Sequence, residues 1–149
     1  MKRIITLAVC MIGLSVITSA QFKFGGGVQL LDGEFGIQAK ANNSFTEEFS
    51  GQSTFSYYFT SGFSLWGIDA DVHYYGFELG DLESFALAPF AGLNFTTISA
   101  LGVSDSEIGI NIGVNGTLPL DGGLEVYLEP KIIIGGGFNG FAISGGVYF

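Results

Sequence analysis

The feature that most constrains the fold is a two-residue alternation of side chains that runs through the sequence after position 20. In the first segment Phe22, Phe24 and Val28 are separated by polar or small residues, and later segments repeat the pattern. Successive side chains of a β-strand point to opposite faces, whereas an amphipathic helix repeats its apolar residues every three or four positions. No stretch after position 20 is apolar for long enough to form a transmembrane helix. The sequence therefore predicts an all-β fold.

Eight alternating segments follow one another, joined by runs of Gly, Asp, Asn and Ser that favour turns. They span positions 22–30, 35–41, 55–59, 66–74, 85–95, 108–118, 124–132 and 141–149. The connection at 42–52 is long, and the Asp32-Gly33 turn is short. Pro89 and Pro130 fall inside segments, where each removes a backbone donor, so we expect a β-bulge at these positions.

The first twenty residues have the pattern of a secretory signal peptide. Two basic residues precede an uncharged apolar run at 4–17, and small residues occupy 18–20. The run is shorter than the roughly 20 residues that span a bilayer as a helix. We therefore expect cleavage after Ala20 and a single domain at 21–149. The only cysteine, Cys10, lies within the signal peptide, so no disulfide is expected in the mature chain.

The two faces of the strands differ in size as well as in polarity. All three lysines that follow position 20 lie on the polar face, together with many Gly and Ala residues that suit a crowded interior. Large aromatic residues such as Trp66 and Phe95 lie on the apolar face, often near strand ends, where membrane barrels carry aromatic girdles. Charged residues make up 13% of the chain, against about 25% in an ordinary soluble domain. We therefore predict an eight-stranded antiparallel up-and-down transmembrane β-barrel whose apolar face meets lipid.

The interior of such a barrel is just wide enough for side chains to fill it. Buried charges are tolerated there only when they pair. We therefore expect a plugging polar network, and its members are Lys23, Glu34, Lys40, Asp69, Asp71, His73, Glu125, Glu129 and Lys131.

The C-terminal third carries a family resemblance. A DGG turn, the run LEVYLEPKIII and the last segment FAISGGVYF resemble the small outer-membrane β-barrel proteins of Gram-negative bacteria, the opacity-protein-like group. That family ends in Phe preceded by alternating apolar residues. Phe141, Ile143, Val147 and Phe149 match this pattern, and Gly145 departs from it.

The resemblance implies an outer-membrane location and a terminal strand that the barrel-assembly machinery reads. It also implies contact with membrane lipid and lipopolysaccharide, and we expect a monomer. The family's functions are diverse and include adhesion, envelope stability and resistance to host factors. The formal net charge of −9 argues against a nucleic-acid partner.

Two chemical alternatives involve the only histidine. Asp69, Asp71 and His73 share one strand face, where they could present ligands to a divalent metal together with Glu125 and Glu129. A structural network with the lysines is the favoured interpretation, so we expect neither metal nor cofactor. A lipid-modifying enzyme would need His73 as its base, but His73 faces inward and has no flanking Ser, so we expect no catalysis.

Two further architectures or functions fit the same strands. A soluble, secreted, lipocalin-like barrel would turn its apolar face inward and bind a small apolar ligand. A narrow channel would use the polar lining as a path for ions.

Overall fold

The computed structural model describes residues 22–76, 85–135 and 139–149, so the predicted signal peptide lies outside the described residues. Eight antiparallel strands close into one barrel in which each strand pairs with its neighbours in sequence and β1 pairs with β8. This confirms the predicted fold class. In the described ranges no helix is long and apolar enough to cross a membrane. The strands are β1 (Phe22–Leu31), β2 (Glu34–Ser44), β3 (Phe49–Tyr58), β4 (Ser64–Tyr74), β5 (Ala86–Ala100), β6 (Val103–Pro119), β7 (Glu125–Ile134) and β8 (Gly140–Tyr148).

The strands are staggered around the barrel. A path that starts at Phe22 and follows the hydrogen-bonded partners once around returns to β1's end at Asp32, ten residues further along the chain. Such a stagger requires the strands to tilt relative to the barrel axis. The intermediate positions are Asn43, Gly51, Val72, Ala91, Ile112, Ile132 and Phe141.

The two strand prolines are accommodated without a bulge, so that prediction is wrong. At Pro130 the pairing of β6 with β7 stops after Gly113 and resumes at Gly116 in the same register. Pro89 lies one residue beyond the last β4–β5 pair and keeps its partner Val114 on β6. Pro130 lies at a gap in the β6–β7 ladder, and Pro89 lies past the end of the β4–β5 ladder. In these two ladders neither position needs the backbone N–H that proline lacks.

The expected long connection at 42–52 is also wrong. β2 continues to Ser44 and β3 begins at Phe49, which leaves a four-residue turn. The Phe45 N–H donates to the Phe49 carbonyl (2.9 Å), and the Thr46 hydroxyl accepts the Phe49 N–H (3.0 Å). The polar residues at 42–52 resemble a loop in sequence. These side-chain and backbone bonds let them continue the β2–β3 ladder instead.

The two ends of the barrel are unlike. At one end, which we call the terminal end, β1 begins and β8 ends, and β2, β4 and β6 finish where β3, β5 and β7 begin. The opposite end carries the β5–β6 hairpin, which is built from the two longest strands and closes through Leu101 and Gly102. Both turn residues have positive φ, 52° and 83°, as the favoured two-residue hairpin turn requires.

Candidate functional site

The outer surface of the barrel is the first part of the candidate site. Apolar side chains at alternate positions of every strand are exposed, which is the reverse of a soluble barrel. The inward-facing apolar arrangement of the lipocalin-like alternative is therefore contradicted. We call this surface the apolar belt; it includes Phe24, Val28, Leu30, Phe35, Ile37, Phe55, Ile68, Val72, Leu93, Phe95, Ile108, Ile110, Ile112, Val114, Val126, Leu128, Ile132, Phe141 and Val147.

The belt has the height of a bilayer's apolar layer. On β6 it extends from Ile108 to Leu118, an interval of ten residues. At about 3.3 Å per residue and a tilt of about 40°, this interval rises about 25 Å along the barrel axis. That height equals the outward apolar band of membrane barrels, about 25 Å.

The outward side chains change from apolar to polar at the edge of the belt nearer the tip of the β5–β6 hairpin. Beyond Ile108, the outward positions of the β5–β6 hairpin carry hydroxyls instead of apolar groups. Thr97 and Ser106 hydroxyls hydrogen-bond across the hairpin at 2.9 Å, and Ser99 and Ser104 do so at 2.7 Å. These polar pairs mark the upper edge of the apolar surface.

Aromatic rings cluster at both edges of the belt. At the terminal end Phe49 packs against Tyr74, with ring centroids 5.0 Å apart. At the opposite end Phe59 contacts Phe35 at 6.0 Å and Tyr57 at 5.7 Å. Such girdles are typical of barrels whose rims lie at a membrane–water interface.

The barrel interior is the second part of the candidate site, and two buried ion pairs form its centre. Lys40 Nζ lies 2.7 Å from Glu129 Oε2, and the two side chains are 0% and 2% exposed. Lys131 Nζ lies 2.5 Å from Asp69 Oδ2, and both groups are equally buried. Because each charge has an opposite charge in direct contact, the desolvation cost of burying it is offset.

Amide and phenol groups complete the partners of Glu129. Gln52 and Asn115 side-chain amides donate to Glu129 Oε2 at 3.1 and 2.9 Å. The Tyr148 hydroxyl donates to Gln52 Oε1 at 2.6 Å, and the Lys40 ammonium lies 4.4 Å from the centre of the Tyr127 ring. Sequence reasoning omitted these residues from the network, although their inward strand positions were the signal that could have identified them.

Asp69 is held by a similar set of donors. Asn94 and Asn111 amides donate to Asp69 Oδ1 at 2.6 and 3.0 Å, and Asn111 also donates to Asp71 Oδ1 at 3.0 Å. The carboxylates of β4 are therefore linked to β5, β6 and, through Lys131, to β7. Side chains thus cross-link four strands through the interior.

A polar vestibule lies between this network and the terminal end of the barrel. Its volume is about 410 Å³, and its lining includes Asn42, Tyr75 and Tyr148. Lys23 and Glu125 form an ion pair of 2.5 Å at its rim, where both side chains are partly exposed. The vestibule reaches Tyr148, whose hydroxyl donates to Gln52 in the interior network.

Three predicted network residues are placed differently from the ion pairs. Glu34 lies half-buried at the first residue of β2, and no described residue forms an ion pair or side-chain hydrogen bond with it. His73 is fully buried and stacks on Phe90 at 4.7 Å, and neither ring nitrogen has a partner among the described residues. Asp71 Oδ2 also lacks a partner there. Among the described residues no three His, Cys, Asp or Glu side chains are arranged to hold a metal ion.

The terminal strand β8 closes the barrel against β1. Phe149 exchanges two backbone hydrogen bonds with Phe24, at 2.8 and 3.2 Å. Phe141, Val147 and Phe149 expose their side chains on the outer face, and Ile143 is half-buried.

A closed barrel with an apolar exterior and a paired polar interior defines the class of small transmembrane β-barrels, in which closure satisfies every backbone polar group. Solved structures agree with this assignment. The N-terminal β-barrel domain of Pseudomonas aeruginosa OprF has a TM-score of 0.73 at 12% identity, covering 88% of this chain and 98% of that one.

Two more solved structures share the fold. Neisserial surface protein A has a TM-score of 0.66 at 13% identity, covering 87% of this chain and 97% of that one. The Yersinia pestis outer membrane protein Ail, in a phospholipid bilayer nanodisc, has a TM-score of 0.56 at 11% identity, covering 88% and 100%. Comparison with models of known families and with curated proteins finds no match. The likeness therefore shows the fold, and it confirms the fold that the family resemblance implied.

Proposed function

We propose that the mature chain is an integral protein of the bacterial outer membrane, exported through the signal peptide at 1–20, with a structural or surface-interaction role and no catalysis. The observation that carries this proposal is the apolar belt, which continues over all eight strands. An exposed apolar surface of this extent would drive aggregation in water. In a bilayer the same surface is solvated by lipid chains.

The location of the solved neighbours supports the proposal, since one of them is described as an outer membrane protein. The proposed contacts are outer-membrane lipid and lipopolysaccharide on the belt and its rim. The terminal Phe149 and the apolar positions before it serve as the signal for the barrel-assembly machinery. The protein acts as a monomer.

We propose that the interior is a plug rather than a pore. The Lys40–Glu129 and Lys131–Asp69 pairs lie in the lumen with all four side chains almost fully buried. An eight-stranded barrel leaves no aqueous path once such side chains fill it. The protein should therefore show no steady conductance in a planar lipid bilayer, and a steady ohmic current would overturn this part of the proposal.

The proposed absence of catalysis rests on the position of His73. The His73 ring is buried in the barrel interior, where it stacks on Phe90, and it has no access to lipid on the outer face. A base for lipid hydrolysis must reach its substrate within hydrogen-bond distance. Purified protein that deacylates lipid A, and loses this activity in His73→Phe, would contradict the proposal.

Membrane fractionation tests the central proposal. Protein expressed in a Gram-negative host should pellet with outer membranes, resist carbonate extraction, and migrate faster on a gel before boiling than after it. Ile112→Arg, which introduces a charge at mid-belt, should reduce the amount recovered in the membrane, whereas Ser104→Arg, above the belt, should not. Wild-type protein that remains soluble in the periplasm without detergent would refute membrane insertion.

A further inference from the structure

One carboxyl group of the barrel interior has no cationic partner among the described residues. The Lys40–Glu129 and Lys131–Asp69 pairs balance two positive charges against two negative ones. Asp71 is a third interior carboxyl group, it is 3% exposed, and it forms no ion pair in the described part of the chain. An ionised Asp71 would therefore be a buried charge without a counter-charge, which is strongly unfavourable.

A glycine lets the Asp71 side chain reach a residue two strands away. Asp71 on β4 pairs with Gly92 on β5, and Gly92 pairs in turn with Asn111 on β6. A methyl group at position 92 would clash with the Asp71 carboxyl group, so this side chain lies across the glycine. The Asn111 amide donates through Nδ2 to Asp71 Oδ1 at 3.0 Å. The two buried side chains therefore meet over the inner surface of β5.

Each of these two side chains has one polar atom without a described partner. The atoms are Asp71 Oδ2 and Asn111 Oδ1. Both are acceptors when Asp71 is ionised, so neither can satisfy the other. A protonated Asp71 carries an O–H donor, and Asn111 Oδ1 belongs to the amide that already bonds to the same carboxyl group. One proton would thus satisfy both atoms and remove the unpaired charge.

The other titratable groups around Asp71 do not supply a positive charge for it. Lys131 is engaged with Asp69, and Glu129, which is itself negative, is engaged with Lys40. The strands β3, β5 and β6 face Asp71 with the uncharged residues Gln52, Gly92 and Asn111.

His73, two residues further along β4, is the remaining candidate for the proton. It is fully buried, and neither ring nitrogen has a partner among the described residues. A protonated imidazole would bury two N–H donors without acceptors. The Asp71 carboxyl group is the better carrier, because an acceptor for its O–H lies on the side chain that it already contacts.

We propose that Asp71 and Asn111 form a proton-binding site inside the barrel, in which Asp71 is a neutral carboxylic acid that donates through Oδ2 to Asn111 Oδ1. The proton comes from water when the barrel assembles and returns to water when the chain unfolds, since an Asp carboxyl group in an unfolded chain is ionised above about pH 4. The bound proton links β4 to β6 across β5. The inference goes beyond the proposed function and rests on the interior geometry alone.

Infrared spectroscopy of the mature protein in lipid vesicles tests for the acid directly. At about pH 5 an ordinary Asp carboxyl group is almost fully ionised. The wild type should nevertheless show the carbonyl stretching band of a protonated carboxyl group, and Asp71→Asn should remove it. Asn111→Ala takes away the amide that donates to this carbonyl and should move the band to higher frequency. Asn94→Ala, which removes an amide from Asp69 instead, should leave the band in place.

Urea unfolding in the same vesicles measures what the proton contributes. Asn is the uncharged isostere of a protonated Asp, so Asp71→Asn should leave the midpoint at about pH 5 unchanged within about 0.3 M. Asp69→Asn makes the same change at the carboxylate that pairs with Lys131, and it should lower the midpoint by about 2 M. Raising the pH to about 9 should lower the wild-type midpoint by at least about 0.5 M relative to Asp71→Asn, because the folded wild type holds one proton more than the unfolded chain.

Three results would overturn the inference. The first is a carboxyl band at about pH 5 that Asp71→Asn leaves unchanged, or no such band in the wild type. The second is a midpoint that falls as far for Asp71→Asn as for Asp69→Asn, which is the behaviour of an ionised, paired carboxylate. The third is a wild-type midpoint that rises with added Na⁺ or Ca²⁺ while that of Asp71→Asn does not, which would indicate a bound cation. If Asn111→Ala does not fold, the comparison of the wild type with Asp71→Asn decides.

Discussion

The Lys40–Glu129 pair offers the sharpest test of the interior. Glu129→Gln keeps the side-chain shape and an acceptor for Gln52 and Asn115, but it removes the only carboxylate among the described residues that contacts Lys40. A buried charge that loses its partner destabilises a fold by about 3–5 kcal/mol. With an unfolding slope of about 2 kcal/mol per molar urea, the midpoint should fall by about 2 M.

The measurement is urea unfolding of the protein in lipid vesicles, followed by the fluorescence of Trp66, the single tryptophan. Glu34→Gln is the matched control, because Glu34 has no described partner, and it should change the free energy of unfolding by no more than about 0.5 kcal/mol. Glu125→Gln, at the partly exposed pair with Lys23, should cost at most about 1 kcal/mol.

The double variant Lys40→Met with Glu129→Gln removes both charges and should recover most of the loss, because no unpaired charge remains. A loss for Glu129→Gln of less than about 1 kcal/mol, equal to that of Glu34→Gln, would refute the argument that this pair is buried in a low-dielectric interior.

Three further predictions concern the belt, barrel closure and assembly. Ile112→Arg should lower the free energy of unfolding in vesicles by about 2–4 kcal/mol, as charges at a bilayer midplane do, and an equal loss for Ser104→Arg would argue against the belt's position. Gly27→Ala should block pairing of β1 with β8, because its new methyl would clash with the Gly145 carbonyl oxygen, whereas Gly26→Ala, with its nearest atom at 3.6 Å, should fold and show normal heat-modifiable mobility. Phe149→Ser should slow membrane insertion in cells and raise the periplasmic fraction; unchanged insertion kinetics would exclude this residue as an assembly signal.

The alternation of side chains predicted the fold because it is a local property of each strand. Positions such as Phe55 and Ile68 face outward as expected, since a strand's two faces are set by its period alone. The lengths of strands and turns were less predictable. The polar residues at 42–44 and Phe49–Gln52 continue their strands because cross-strand bonds inside the barrel satisfy them, as the Asn42–Ser50 bond of 3.2 Å does.

Which interior side chains meet one another depends on the stagger between strands. No local sequence pattern reveals that stagger. Residues 40 and 129 meet because β2 and β7 place them at one height across the lumen, and Glu34 stays apart because it lies at the rim. The same stagger decides that Gln52 and Tyr148 complete the site of Glu129. The alternation could assign these residues to the inner face, but only the closed barrel could pair them.

The central claim is that the apolar exterior of the barrel faces lipid, and the fluorescence of Trp66 tests it without any substitution. Trp66 lies on the outer face between Phe55 and Phe95, with ring centroids 6.3 and 5.9 Å away. In vesicles, lipids brominated on their acyl chains should quench this fluorescence strongly, and aqueous iodide should have little effect. Quenching by iodide without quenching by brominated lipid would contradict the claim.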